Sequence, residues 1–292
     1  MCSLPASAGA DPGGQLRTRT AETPIVGGRS TDPGEFDAVV AISVADKLCT
    51  GLMVSPRVAV TAAHCLAGRS PSTSVRVVTG SNLGQDSGVP ATRWATYPDF
   101  CADCPGPRYD YAFVEVESAI SFQESVLPVA TQAEWDDAMF EGNEVTLVGY
   151  GGDQPDGTGS GRKRSVVTEI NGQSSDGLEF RAGADGRDSC DGDSGGPAFV
   201  VLPDGQRRWA GITSRGSTPC GQGGYYAVPY AALCWLHEET GVDLRRDACG
   251  ACDCLDMAPS DAGACRLVAS EPPLRLMLPL FLVLVVWGRR RR

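Results

Sequence analysis

Histidine is almost absent from this chain: 292 residues contain two, His64 and His237. That scarcity leaves two candidates for any side-chain base working near neutral pH. Positive charge is also short, with 25 Lys and Arg against 36 Asp and Glu and a formal charge of −11. Four of those cations sit together at Arg289 to Arg292, so the remainder is more acidic still. No basic patch suits a nucleic acid backbone. Long apolar runs are missing too. No hydrophobic segment follows Met1, so no ordinary signal peptide is legible in residues 1–24. The apolar run Leu276 to Trp287 has 12 residues, short of the roughly 20 that a full transmembrane helix needs.

Cysteine, in contrast, is plentiful. Twelve in a chain of this size favour an oxidising compartment. Cys49, Cys65, Cys190 and Cys220 are scattered singly, which speaks against the paired ligands of a metalloprotein. Cys101-Ala-Asp-Cys104 fits a local disulfide or a redox or metal motif.

The chain is organised around Asp188-Ser-Cys-Asp-Gly-Asp-Ser-Gly-Gly-Pro197. Ser194 stands among glycines, which serve where the backbone takes φ > 0 or approaches a ligand closely. A serine there presents its hydroxyl while neighbouring N–H groups converge, as acyl transfer requires. An ordinary Gly-rich turn is the competing reading. A nucleophilic serine needs a base. His64 ends the apolar run Val60-Thr-Ala-Ala63, whereas His237 lies on the outside of an amphipathic helical pattern. Asp110 opens the apolar run Tyr111 to Val116 and is the candidate acid to hold the imidazole tautomer.

Short apolar runs at 38–44, 51–54, 58–62, 75–78, 111–116, 145–148, 166–170, 198–202, 209–213 and 225–228 are separated by Gly, Pro, Asp and Ser. This pattern predicts an all-β sandwich or barrel. Residues 230–240 predict a closing helix, and residues 151–161 a mobile Gly/Asp loop.

Four motifs occur in order: Ile25-Val-Gly-Gly28, Thr61-Ala-Ala-His-Cys65, Asp110-Tyr-Ala112 and Gly192-Asp-Ser-Gly-Gly-Pro197. Together, over roughly residues 25 to 245, they resemble the chymotrypsin-fold, trypsin-like serine proteases. The resemblance implies two six-stranded antiparallel barrels with the site in the crevice between them. It implies a triad of His64 (base, then acid), Asp110 (orienting group) and Ser194 (nucleophile), with the N–H groups of Gly192 and Ser194 as oxyanion hole. Asp188 then forms the floor of an S1 pocket, Gly216 and Gly224 its walls, and Ser214 supports Asp110. The expected reaction is hydrolysis after Arg or Lys, with no cofactor and no metal. The resemblance also implies an activation pair between a freed Ile25 amine and Asp193, and disulfides Cys49–Cys65 and Cys190–Cys220. Three residues depart from the family pattern, the first being Val200, which stands where the family has a further cysteine, so that bridge is missing. Pro24 stands where zymogens carry Arg or Lys, so a trypsin-like activator is not expected to cut Pro24–Ile25, and the activating protease is left unidentified. Arg215 stands where an aromatic is common, which tilts the expected preference beyond P1 toward acidic residues.

The reading divides the chain into a leader or propeptide (1–24), a protease domain (25–246), a Cys-rich linker (247–273) and a hydrophobic segment with terminal arginines (274–292). The last resembles bacterial C-terminal sorting tails, including the myxobacterial type. It implies an extracellular or cell-envelope enzyme anchored through its tail, with protein or peptide substrates, an activating protease and sorting machinery as partners, and no nucleic acid. A buried C-terminal helix is the alternative for the tail. For the whole chain, the rivals are a catalytically silent binding module on the same fold and an esterase-type hydrolase.

Overall fold

Hydrophobic side chains recur in runs of four to ten residues, and the computed structural model, which describes residues 25–84, 87–104 and 108–245, turns them into strands. β1 (Arg29–Ser30) is a short edge strand. Six strands then close a first barrel: β2 (Val39–Val44), β3 (Lys47–Ser55), β4 (Val58–Thr61), β5 (Val75–Val78), β6 (Val89–Thr96) and β7 (Ala112–Val116). Their hydrogen-bonded order is β2-β3-β4-β7-β6-β5, all antiparallel. Val40, Ala41, Ile42, Val77, Phe113 and Val114 on its strands are buried at 0% exposure, their alternate side chains facing the barrel interior and its packed outer face. Each such large side chain contributes about 1.5–3 kcal/mol of burial.

The second barrel is built from β8 (Glu144–Gly149), β9 (Arg164–Gln173), β10 (Glu179–Ala182), β11 (Pro197–Val201), β12 (Arg207–Gly216) and β13 (Gly224–Ala227). Its order is β9-β10-β13-β12-β11-β8, and β8 pairs back onto β9 to close it, with β1 added on β9. Stacked Phe36 and Phe199 rings, 5.8 Å apart, bridge the two halves.

Three short helices complete the described fold: α1 (Ala63–Leu66), α2 (Gln132–Ala138) and α3 (Leu233–Thr240). Thr131 caps α2 by accepting from the Glu134 N–H at 3.3 Å. The closing helix expected at 230–240 starts as a 3₁₀ turn, Pro229–Ala232, because Pro229 fits the first position of a helix. It stops at Gly241 in the left-handed conformation.

The all-β expectation of two six-stranded barrels with a C-terminal helix is met. The strands that periodicity did not announce are β1, β6 and β10. β6 has no fully buried residue, and β10 reads Glu-Phe-Arg-Ala, too short for a clear alternation. Disulfides join Cys49 to Cys65, Cys101 to Cys104 and Cys190 to Cys220, so the Cys-Ala-Asp-Cys segment closes on itself. Cys234 on α3 is disulfide-bonded as well. The leader 1–24, the linker 247–273 and the apolar segment 274–292 lie outside the described residues.

Candidate active site

Each barrel delivers part of the site. β4 ends at Thr61, and its chain turns directly into α1, which carries His64. Asp110 stands one residue ahead of Tyr111, at the mouth of β7. Its carboxylate is 1% exposed and receives three donors. The His64 backbone N–H reaches Oδ1 at 2.8 Å, the His64 Nδ1 lies 2.7 Å from Oδ2, and the Ser214 hydroxyl donates to Oδ2 at 2.6 Å. A carboxylate so placed holds the Nδ1–H tautomer, which turns the Nε2 lone pair away from Asp110.

Ser194 enters from the second barrel, in the loop between β10 and β11. Its carbonyl accepts from the Thr50 N–H of β3 at 2.8 Å and lies 3.8 Å from the Cys65 sulfur, itself 4.0 Å from His64 Nε2. The loop thus abuts the Cys49–Cys65 bridge beside the imidazole. Two glycines make this approach possible. Gly192 has φ +98° and a Cβ there would lie 2.9 Å from the Gly151 Cα. Gly195 has φ +83° and a Cβ there would run into Thr61 and the Thr50 carbonyl. Neither position accepts a side chain without strain.

Asp193 points inward, at 2% exposure. Its Oδ1 accepts from the Gly151 N–H at 2.7 Å and its Oδ2 from the Cys190 N–H at 2.9 Å. Burial pushes its carboxyl up to about 7, against the pull of those two N–H groups and of Arg164. Ile25 is buried at 1% exposure, and the next residue's carbonyl, Val26, accepts from the Asp188 N–H at 3.1 Å. The Ile25–Gly28 segment therefore docks beside the loop that bears Ser194.

Asp188 is 1% exposed. Its carboxylate accepts from the N–H groups of Ser189, Gly221 and Gly223 at 2.8, 3.1 and 2.8 Å. Among the described residues no Lys or Arg pairs with it. Burial raises its pKa, and the backbone donors oppose that rise. Gly216 faces Gly224 across β12 and β13. A Cβ at Gly216 would meet nothing nearer than 3.8 Å, so the space beside it is open. Ser189 and Tyr226 close one side, hydroxyl to hydroxyl at 3.0 Å.

Arg215 differs from the expectation placed on it. Its guanidinium forks onto Glu179, both bonds at 2.6 Å, and lies 4.1 Å above the Tyr225 ring. Its charge is matched within the protein by Glu179. His237 is carried on α3, apart from this cluster, as its helical pattern implied. Residues 151–161, expected as a mobile loop, are tied by many bonds, among them Gly152 N–H to the Asp191 carbonyl and Gly161 N–H to the Tyr150 carbonyl, both at 2.8 Å.

Sequence reading missed Thr50, which braces the Ser194 loop twice: its hydroxyl donates to the Gly192 carbonyl at 2.8 Å and its N–H to the Ser194 carbonyl. Nothing in Cys49-Thr-Gly51 distinguishes it from an ordinary strand threonine, because its partners are about 140 residues downstream.

A family model described as Trypsin matches residues 25–233. Transmembrane protease serine 5 of Homo sapiens is 30% identical over 238 residues, covering 73% of this chain and 51% of that protein. The chain therefore spans about half the length of that relative. Kallikrein-8 of Homo sapiens is 26% identical over 77% of this chain and 89% of its own length, and Trypsin 5G1 of Aedes aegypti 27% identical over 75% and 85%. Two closed barrels, an Asp110–His64 pair between them and a family match spanning both barrels lead to one conclusion: this chain belongs to the trypsin family of serine proteases.

Proposed function

We propose that the protein is an exported serine endopeptidase that hydrolyses peptide bonds after Arg or Lys. The observation that carries the specificity is the buried Asp188 carboxylate, satisfied by backbone N–H groups alone among the described residues. An anion in that position is matched by a cationic side chain entering between Gly216 and Gly224; an apolar guest leaves it without a counter-charge.

The chemistry follows from the His64–Asp110–Ser214 arrangement. Ser194 Oγ attacks the scissile carbonyl while His64 Nε2 takes its proton. Asp110 stabilises the imidazolium through Nδ1–H. The N–H groups of Gly192 and Ser194 donate to the oxyanion as charge develops there. Collapse expels the amine, which receives the proton from His64, and leaves an acyl-Ser194 ester. Water then repeats the sequence with His64 again as base, releasing the acid. In activation, cutting after Pro24 frees the Ile25 amine, which pairs with Asp193 and supplies the counter-charge that its burial denies it.

Export and anchoring rest on the cysteine content and on residues 274–292, which read as a sorting tail. Among the described residues no helix is long and apolar enough to cross a membrane. The decisive test is turnover of matched peptide amides ending in Arg, Lys or Phe by the chain cut between Pro24 and Ile25. Preference for Phe over Arg and Lys sinks the specificity assignment. Absence of turnover on all three sinks the peptidase.

A further inference from the structure

One residue of the second barrel, Gly151, links the Ser194 loop to Arg164. The Gly151 N–H donates to Asp193 Oδ1 at 2.7 Å, and the Gly151 carbonyl accepts from Arg164 Nη1 at 3.3 Å. Arg164 sits at the first position of β9, paired with Gly149 of β8. It is 7% exposed. The same Nη1 donates to the Gly159 carbonyl at 2.6 Å, and Nη2 holds the Asp153 carboxylate at 2.5 Å. One guanidinium therefore grips three points of the 151–161 loop. That loop in turn grips the Ser194 loop once more, Gly152 N–H reaching the Asp191 carbonyl at 2.8 Å, and its Pro155 carbonyl accepts at 3.1 Å from the N–H of Cys220, the disulfide partner of Cys190.

The glycines show how little slack there is. A Cβ on Gly151 would lie 2.7 Å from the Asp193 nitrogen, and one on Gly192 2.9 Å from the Gly151 Cα. Gly192 and Asp193 are therefore packed backbone to backbone against Gly151, whose carbonyl Arg164 holds. The Gly151–Gly152 peptide that Arg164 holds also gives its own N–H to the Asp191 carbonyl at 2.8 Å, so releasing it frees Asp191, shifts the Gly151 Cα against Gly192 and moves the Gly192 and Ser194 N–H groups.

We propose that Arg164 is a positioning residue for the oxyanion hole, fixing the Gly192 and Ser194 N–H groups through the Gly151 peptide and Asp193. This inference rests on the acyl-transfer reading of Ser194. Arg164 acts by geometry, through its forked donors, and by charge. Asp193 faces Arg164 from β9, Asp188 from its own loop and Tyr226 from β13. Of these, Arg164 favours the carboxylate, and in the cut chain the freed Ile25 amine of the proposed activation pair favours it too. Protonating Asp193 converts one acceptor oxygen into a donor facing an N–H, so it releases either Gly151 or Cys190.

The experiment compares wild type, Arg164→Met, Arg164→Lys and Asp153→Asn as the full chain cut after Pro24. Active sites are counted with a fluorophosphonate that phosphonylates Ser194 with loss of fluoride, and kcat and KM are measured per active site across pH 5–10. The substrate is whichever peptide amide wild type turns over best, so a wrong P1 assignment leaves the test intact. Arg164→Met is expected to lower kcat by about 10²-fold, the scale of an ångström of misplacement, with KM nearly unchanged. Its acid limb in kcat should move to higher pH, because Asp193 loses one of the two cations, Arg164 and the freed Ile25 amine, that oppose its protonation. Arg164→Lys should restore the acid limb without restoring kcat, since an ammonium lacks the planar fork. Asp153→Asn, which leaves both carbonyl contacts, should lower kcat less than Arg164→Met. A role in stability alone reduces the count of active sites and leaves kcat per site and its acid limb at wild-type values; that result overturns the proposal. Should Arg164→Met yield no active sites, unchanged kcat and acid limb in both other variants overturn it equally. Inactive wild type instead refutes the acyl-transfer reading beneath it.

Discussion

The two barrels share a strand count and differ in what they bury. Among the described residues, buried Asp, Glu, Lys and Arg in the second half are Glu134, Lys163, Arg164, Glu179, Asp188, Asp193 and Arg208; the first half buries Asp110 alone. The first barrel is an apolar frame that fixes one histidine and one carboxylate. The second is laced with ion pairs, Arg164–Asp153, Arg208–Glu134 and Arg215–Glu179, around loops that must hold backbone N–H groups in place. Buried ion pairs contribute little net stability, and removing one partner is strongly destabilising. Apolar packing suits a frame, whereas paired charges give a loop one permitted arrangement, which is what a binding pocket needs.

The largest expected effect shows the halves acting as one. His64→Ala, from the first barrel, and Ser194→Ala, from the second, should each lower kcat by about 10⁴- to 10⁶-fold. The double variant should be little worse than either. Additive losses in single-turnover kinetics would show that the two barrels contribute separately.

Next comes the charge that serves substrate. Asp188→Ser should lower kcat/KM for Arg and Lys substrates by about 3–5 kcal/mol, hundreds- to thousands-fold, and leave apolar substrates far less affected. Equal losses for both classes would mark Asp188 as part of the loop framework instead.

In the apolar frame, Phe113→Ala should destabilise by about 3–5 kcal/mol in denaturant unfolding, since its ring is fully enclosed. A loss under 1 kcal/mol would mean the first barrel collapses around the gap and is less rigid than its packing implies.

The smallest effect tests whether every buried charge in the second half is needed. Lys163 donates to the Phe36 carbonyl at 2.8 Å, and that carbonyl also accepts from the Val39 N–H at 2.9 Å. Burial pulls the Lys163 amine down to about 8. Below that pH both folded and unfolded chains hold the proton, and the folded one carries a buried charge. Between about 8 and the ordinary lysine value the unfolded chain binds more protons, so wild-type stability rises with pH. Lys163→Met should therefore equal or exceed wild type at pH 7, by up to about 2 kcal/mol, with the gap closing toward pH 10. A gap of the opposite sign, or one independent of pH, contradicts the placement of that amine.

Much of the site was legible because its chemistry is local in sequence. The glycines around Ser194, the scarcity of histidine and the apolar runs beside His64 and Asp110 each constrain a few adjacent residues. β6 and β10 were not legible, because an exposed strand and a four-residue strand carry no clear alternation. Arg215 shows the limit from the other side. As a letter it is a free cation beside the pocket. Folded, it is forked onto Glu179, 36 residues away in the chain.

By itself, the sequence determined which residues can do acyl-transfer chemistry, because residue type and the backbone freedom of glycine are written in it. It determined the all-β class as well, through period and punctuation. Only the tertiary structure decided which charges are matched and which are left for a substrate. Asp188, Asp193 and Glu179 are equivalent carboxylates in the chain. Backbone donors at Gly221 and Gly223, the Gly151 N–H and the Arg215 fork make them, among the described residues, an acid held by backbone alone, a loop anchor and a neutralised pair. The physical reason is that a charge's energy depends on its solvation and its partners, and both come from segments brought together only by barrel closure.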